Sequence, residues 1–148
     1  MSNKRILLVV VILALMTVAG CSQPSSSAPV EPVQNEQPNE PSQEELNAQL
    51  KQRATKADFI ELNGKNAPVG KSVYATGSVM SVIKPGSLGE FMLSVEEGDG
   101  YGIYIIRNLD LGNSVDEENI QVTLWGSYYG KHEKLGGPVI LATIIEKQ

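Results

Sequence analysis

From Lys71 onward the sequence alternates between short runs rich in Val, Ile and aromatic residues and breaks made of Gly, Pro and Asn. That punctuation is the signature of short β-strands joined by turns. Five strands are predicted, at residues 72–83, 90–96, 102–107, 120–128 and 139–146. In the last four, period-two spacing aims one set of residues at a core. The sets are Phe91/Leu93/Val95, Ile103/Ile105, Val122/Leu124 and Val139/Leu141/Thr143/Ile145. Lys84-Pro85-Gly86-Ser87 turns the first strand into the second, and Glu97-Gly98-Asp99-Gly100 turns the second into the third. A longer irregular link, 108–119, joins the third to the fourth. The first strand is long and has Gly77 at its middle, where a bend or bulge can carry it between two sheets. Strands this few and short must close, or nearly close, their sheet to hide its edges.

The other end of the chain reads differently. Lys4 and Arg5 precede an unbroken apolar run, Ile6 to Met16, followed by Thr17-Val18-Ala19-Gly20-Cys21. A basic start, a short apolar core and small residues at the junction form a secretory leader. The run is too short to span a bilayer, which takes about 20 apolar residues. Val18-Ala19-Gly20-Cys21 resembles the bacterial lipobox, and Cys21 is the only cysteine in the 148 residues. The resemblance implies cleavage before Cys21 and attachment of diacylglycerol to its sulfur. Two buried acyl chains, each worth about 0.8 kcal/mol per CH₂, anchor a protein far more durably than one. Losing Lys4 and Arg5 moves the net charge from −5 to −7. Ser22, rather than Asp, resembles outer-membrane sorting in a host with two membranes. In a host with one membrane, the protein is expected on the outer cell face.

The sequence therefore divides into a leader (1–20), a lipidated Cys21 with a tether (21–41), a short helix (42–57) and a strand domain (58–148). In the 20 residues from Ser22 to Pro41 there are five prolines, and Val30 and Val33 are the only sizeable apolar groups. Such chain cannot bury enough surface to offset its ordering entropy and is expected to stay disordered as a spacer. Ser42-Gln43-Glu44-Glu45 has the form of a helix capping box. Leu46, Leu50, Ala54 and Ala57 follow at helical spacing, predicting a helix from about Gln43 to Ala57.

Strand number, a long bent first strand and a long third-to-fourth link describe an oligonucleotide/oligosaccharide-binding (OB) barrel. Phe59-Ile60-Glu61-Leu62, Val69-Gly70-Lys71-Ser72-Val73 and Thr76-Gly77-Ser78-Val79 lead to Val122-Thr123-Leu124-Trp125-Gly126-Ser127-Tyr128-Tyr129-Gly130 and Gly136-Gly137-Pro138-Val139-Ile140. This order resembles OB-fold domains of secreted or lipid-anchored proteins of Gram-positive bacteria, over roughly Asp58 to Lys147. The fold class implied is all-β: a small five-stranded OB-like barrel with a short N-terminal helix and a disordered tether. The shared residues specify barrel geometry and carry no chemistry.

No catalytic constellation is legible. A serine nucleophile needs a base, and His132 is the only histidine, set in the charged loop Gly130-Lys131-His132-Glu133-Lys134 with no Gly-x-Ser-x-Gly elbow anywhere. The acids Glu96/Glu97 and Asp116/Glu117/Glu118 sit beside turns, where carboxylates are usually solvated or capping. The Glu-Glu-Gly-Asp-Gly loop lacks the alternating ligands of a dedicated calcium site, so neither a metal nor a cofactor is expected. The net acidity argues against a protein built mainly to grip nucleic acid.

What remains is a binding surface. If Ile103 and Ile105 face inward, Tyr104 faces out, and Trp125 can point outward beside Leu124. Tyr128, Tyr129, Lys131, His132 and Lys134 then form an aromatic and basic cluster in or beside the last loop. The expectation is a non-enzymatic lipoprotein, held to the membrane through Cys21, that binds a protein or glycan at the cell envelope. The alternatives are single-stranded nucleic-acid binding through that loop, or a structural role in an envelope complex.

Overall fold

The computed structural model describes residues 40–148; the leader, Cys21 and nearly all of the expected tether lie outside the described residues. Ser42 caps the first helix, α1 (Gln43–Arg53), through a complete capping box: its hydroxyl accepts from Glu45 N, and its own N–H donates to a Glu45 carboxylate oxygen at 2.8 Å. The helix ends at Arg53, not at Ala57. Ala54 is already extended, and Thr55–Lys56 form a two-residue strand, β1. Ala57 is buried all the same, because its N–H donates to Tyr74 O and holds it against the sheet. A single turn, α2 (Phe59–Leu62), follows behind its cap Asp58 and carries Leu62 into the core.

Five strands then run as expected, each slightly longer than its pattern: β2 (Ser72–Lys84), β3 (Glu90–Glu97), β4 (Gly100–Asn108), β5 (Gln121–Lys131) and β6 (Pro138–Lys147). Their order, β2-β3-β4-β6-β5 and back to β2, closes a barrel, with β4 and β6 parallel and every other neighbouring pair antiparallel. This is the OB-like arrangement. Strand β2 closes the ring by pairing twice, with β5 through Ser72–Ser78 and with β3 through Ser78–Lys84. Gly77 lies at the changeover, where a Cβ would stand 2.2 Å from Ser94 O. Gly126 on β5 is as tightly placed, 2.0 Å from Leu141 O by the same measure.

Inside the ring, Val73, Ala75 and Val79 meet Phe91, Leu93, Val95, Val122 and Leu124, the last five as their alternation predicts. Two strands correct the expectation. On β4 the inward residues are Tyr104 and Ile106, both fully buried in the core, so Ile103 and Ile105 face outward. On β6 the register with β5 skips Thr143, which shifts the inward set to Ile140, Ala142 and Ile145. Of the four β6 residues expected inward, only Ile145 belongs to the core cluster.

Closure makes a direct prediction. Gly126→Val places three carbons where a neighbouring carbonyl already sits, and should lower stability by about 3 kcal/mol or prevent folding. Gly100→Ala has open space around its Cβ and should stay within about 0.5 kcal/mol of the parent. Urea unfolding followed by circular dichroism compares the two; equal midpoints would contradict the packing described.

Candidate functional site

On an OB barrel the ligand face is the outer surface of the second and third barrel strands with its flanking loops, here β3 and β4. Cross-strand pairs build it: Glu90 opposite Arg107, Met92 opposite Ile105, Ser94 opposite Ile103 and Glu96 opposite Tyr101. The loop after β5, residues 132–137, folds down over this face. A Cβ on Gly137 would touch Ile105 Cδ1 at 2.7 Å, and Ile105 is buried although it points away from the core. Beside the loop, Phe59, Asn63, Met92, Ile103 and Leu135 line a shallow groove of about 360 Å³. Asn63 Oδ1 is itself closed off from solvent, with no hydrogen-bond partner among the described residues.

His132 organises the loop. Its Nδ1 accepts from the backbone N–H groups of Lys134 (3.3 Å) and Leu135 (3.1 Å), so the ring hydrogen belongs on Nε2. Nε2 lies 3.4 Å from Glu90 Oε1, while Glu90 Oε2 accepts from Arg107 Nε at 3.0 Å. Arg107 also lies over the Tyr129 ring, 5.6 Å from its centroid. The side chain of His132 is largely covered, unlike the exposed loop histidine its sequence suggests.

The residues singled out in the sequence therefore separate. Tyr129 and His132 meet around Arg107 and Glu90, with Lys131 exposed at the end of β5 and Lys134 exposed on the loop. Tyr128 is buried in the core. Trp125 does point outward, but α1 packs against β5, and Lys51 Nζ stands 4.5 Å over the indole while pairing with Glu146. Tyr104 is buried inside the barrel, where its hydroxyl donates to Glu97 Oε1 at 2.5 Å and its ring meets Phe59 edge-on. Glu97 Oε2 accepts from Phe59 N, so one carboxylate fastens α2 to the barrel. Burial, then the hydrogen bond to Glu97 and the negative charges of Glu97 and Asp58, push the Tyr104 hydroxyl well above the ordinary phenol range.

Sequence reasoning missed Asn63, Arg107 and Glu90. Arg107 opposite Glu90 follows from the strand pairing, but only once the register is known. Among the described residues, no group of three or more His, Cys, Asp or Glu is arranged to hold a metal ion.

No protein-family model matches the chain, and no curated protein matches it. Among solved structures it is similar to asparaginyl-tRNA synthetase from Pyrococcus horikoshii, at 17% identity and a TM-score of 0.36 over 53% of this chain. The same enzyme complexed with asparaginyl-adenylate gives the same identity and score. The chain spans about a fifth of the length of those synthetase chains, 20% and 19%. A likeness of that size establishes no shared activity.

Two outcomes are expected. His132→Ala removes the acceptor for two backbone amides and should cost about 1–2 kcal/mol, with faster hydrogen exchange at Lys134 and Leu135; unchanged exchange there would exclude His132 as the loop's organiser. Tyr104 stays protonated in the fold, whereas an unfolded tyrosine ionises near pH 10. Its contribution is therefore complete below about pH 10 and declines as pH rises above it. Tyr104→Phe should flatten that alkaline decline in a chemical-denaturation series.

Proposed function

We propose that this protein is a bacterial lipoprotein, anchored through Cys21, whose barrel is a non-catalytic binding module for a protein or glycan of the cell envelope. The lipobox-like Val18-Ala19-Gly20-Cys21 supports the anchor. One observation supports the binding role: Asn63, whose Oδ1 is buried without a partner among the described residues, lines a groove on the outer face of the barrel whose other side chains are apolar. A buried unpaired acceptor costs about 1–3 kcal/mol, recovered when rotation of the Asn63 amide brings its oxygen to a ligand amide or hydroxyl. Phe59, Met92 and Ile103 offer apolar surface around that point, which suits a peptide backbone or the face of a sugar ring.

Nucleic acid is the second reading, favoured by the exposed Lys131 and Lys134 beside Tyr129. Against it, Arg107 and His132 already face Glu90, leaving a thin cationic footprint for a phosphate backbone.

The test uses the lipidated protein in its native membrane, photo-crosslinked from Met92. The expected result is diacylglycerol on Cys21 by mass spectrometry and an envelope protein or glycan captured at Met92. Asn63→Leu, folded by circular dichroism, should reduce that capture at least fivefold. An unmodified Cys21 would remove the anchor. Oligonucleotide binding that falls steeply with salt, with undiminished capture by Asn63→Leu, would replace the binding reading with the nucleic-acid one.

A further inference from the structure

Asn63 ends α2, and it is the only asparagine in the sequence with glycine after it. Asparagine-glycine is the pair in which a side-chain amide is lost most readily. The backbone nitrogen of the following residue attacks the side-chain Cγ, and glycine puts no side chain in the way. The new C–N bond closes a five-membered imide, the Cγ–Nδ2 bond breaks, and ammonia leaves with the proton from Gly64 N. Water then opens the ring at either carbonyl, giving aspartate or isoaspartate. Only water is consumed.

Three features of the fold oppose that attack. The nucleophile is occupied, because Gly64 N donates to Glu61 O at 3.1 Å. The backbone is turned away: Asn63 sits at φ −88° and ψ 0°, and ring closure needs a large rotation about ψ to bring Gly64 N to Cγ. The electron pair displaced from the side-chain carbonyl collects on Oδ1, which is closed off from solvent with no donor among the described residues. A developing oxyanion there has the opposite of an oxyanion hole. The reaction must therefore pass through opening of this turn.

What holds the turn closed is small and local. At one end Asp58 Oδ1 accepts from Glu61 N at 2.8 Å, and at the other Asn63 N donates to Phe59 O at 2.8 Å. Leu62 anchors the middle in the core, while Asn63 and Gly64 are only half-buried. A single turn with so few buried groups opens far more often than the whole domain unfolds. The product is also disfavoured in the closed turn, because its carboxylate lies at the C-terminal end, where unpaired carbonyls repel negative charge.

We propose that Asn63 is a site of spontaneous deamidation gated by opening of α2, and that the product carries a carboxylate into the groove on the β3–β4 face. The modification does not depend on what that groove binds.

The test incubates the full chain in mildly alkaline buffer, folded or in guanidinium chloride. Mass spectrometry follows the tryptic peptide Ala57–Lys65, whose only asparagine is Asn63. The unfolded chain should convert Asn63 to aspartate and isoaspartate at least tenfold faster than the folded one. Gly64→Ala should slow conversion in denaturant at least fivefold, which assigns the attack to Gly64 N. Asp58→Ala removes the cap and should speed conversion of the folded chain at least threefold, whereas Asp58→Asn keeps a capping oxygen and should match the parent. No conversion in denaturant, or equal rates folded and unfolded, overturns the proposal. So does a folded Asp58→Ala chain that converts no faster than the parent. Should Asp58→Ala not fold, the parent in sub-denaturing guanidinium replaces it, and a rate that stays flat until global unfolding overturns the gate. Failure of envelope capture leaves all these rates unchanged, so the two readings fail separately.

Discussion

One strand must serve two neighbours, and the molecule is organised around that requirement. β2 leaves β5 and joins β3 within a residue of Ser78, and the crossing is possible because Gly77 lets the Ser94 carbonyl approach where any side chain would stand. Gly126 makes the matching approach to Leu141 on the far side. With the ring closed, the buried set from Val73 to Ile145 becomes a single core. With it open, the same residues would line two poorly covered surfaces. Burying each large apolar side chain is worth about 1.5–3 kcal/mol, and closure is what makes that burial available.

Closure also decides what the outside can do. The outer surface near Trp125 is covered by α1, and the centre of the β3–β4 face is covered by the loop that His132 holds together. The Tyr104–Glu97–Phe59 chain fixes α2 beside that face, which sets one wall of the Asn63 groove. The ion pairs at the surface, such as Lys51–Glu146 and Lys71–Glu61, are partly solvated and contribute little to stability individually.

The strands were legible because their breaks were explicit, and β3 and β5 were legible to the residue, since Phe91/Leu93/Val95 and Val122/Leu124 keep one parity while Ser94 and Thr123 mark the other. β4 was ambiguous for a physical reason. Ile103, Tyr104, Ile105 and Ile106 are apolar on both parities, and the choice turns on tertiary facts: Tyr104 finds Glu97 for its hydroxyl, while Ile105 is sheltered outside by Gly137. β6 misled because the irregularity at Thr143 switches parity: Ile140 and Ala142 face inward before it and Ile145 after it, so no single alternation fits the strand. The helix overran because Ala54 and Ala57 fit a helical stripe equally well, and nothing local announces that Thr55 pairs with Val73. The candidate site was legible only in part. Tyr129 and His132 stood out by type, but Asn63 reveals itself only through an atom left unpaired after folding.

The order in which the strands leave the ribosome has its own consequence. β4 and β5 do not pair with each other; β6, the last of the five to be made, is inserted between them, and Gln148 N then donates to Gln121 O. A growing chain that has produced β2 to β5 still lacks the strand that closes the ring. It cannot complete its barrel until translation has passed Lys147, so the two edges of β4 and β5 stay unpaired until the last strand arrives.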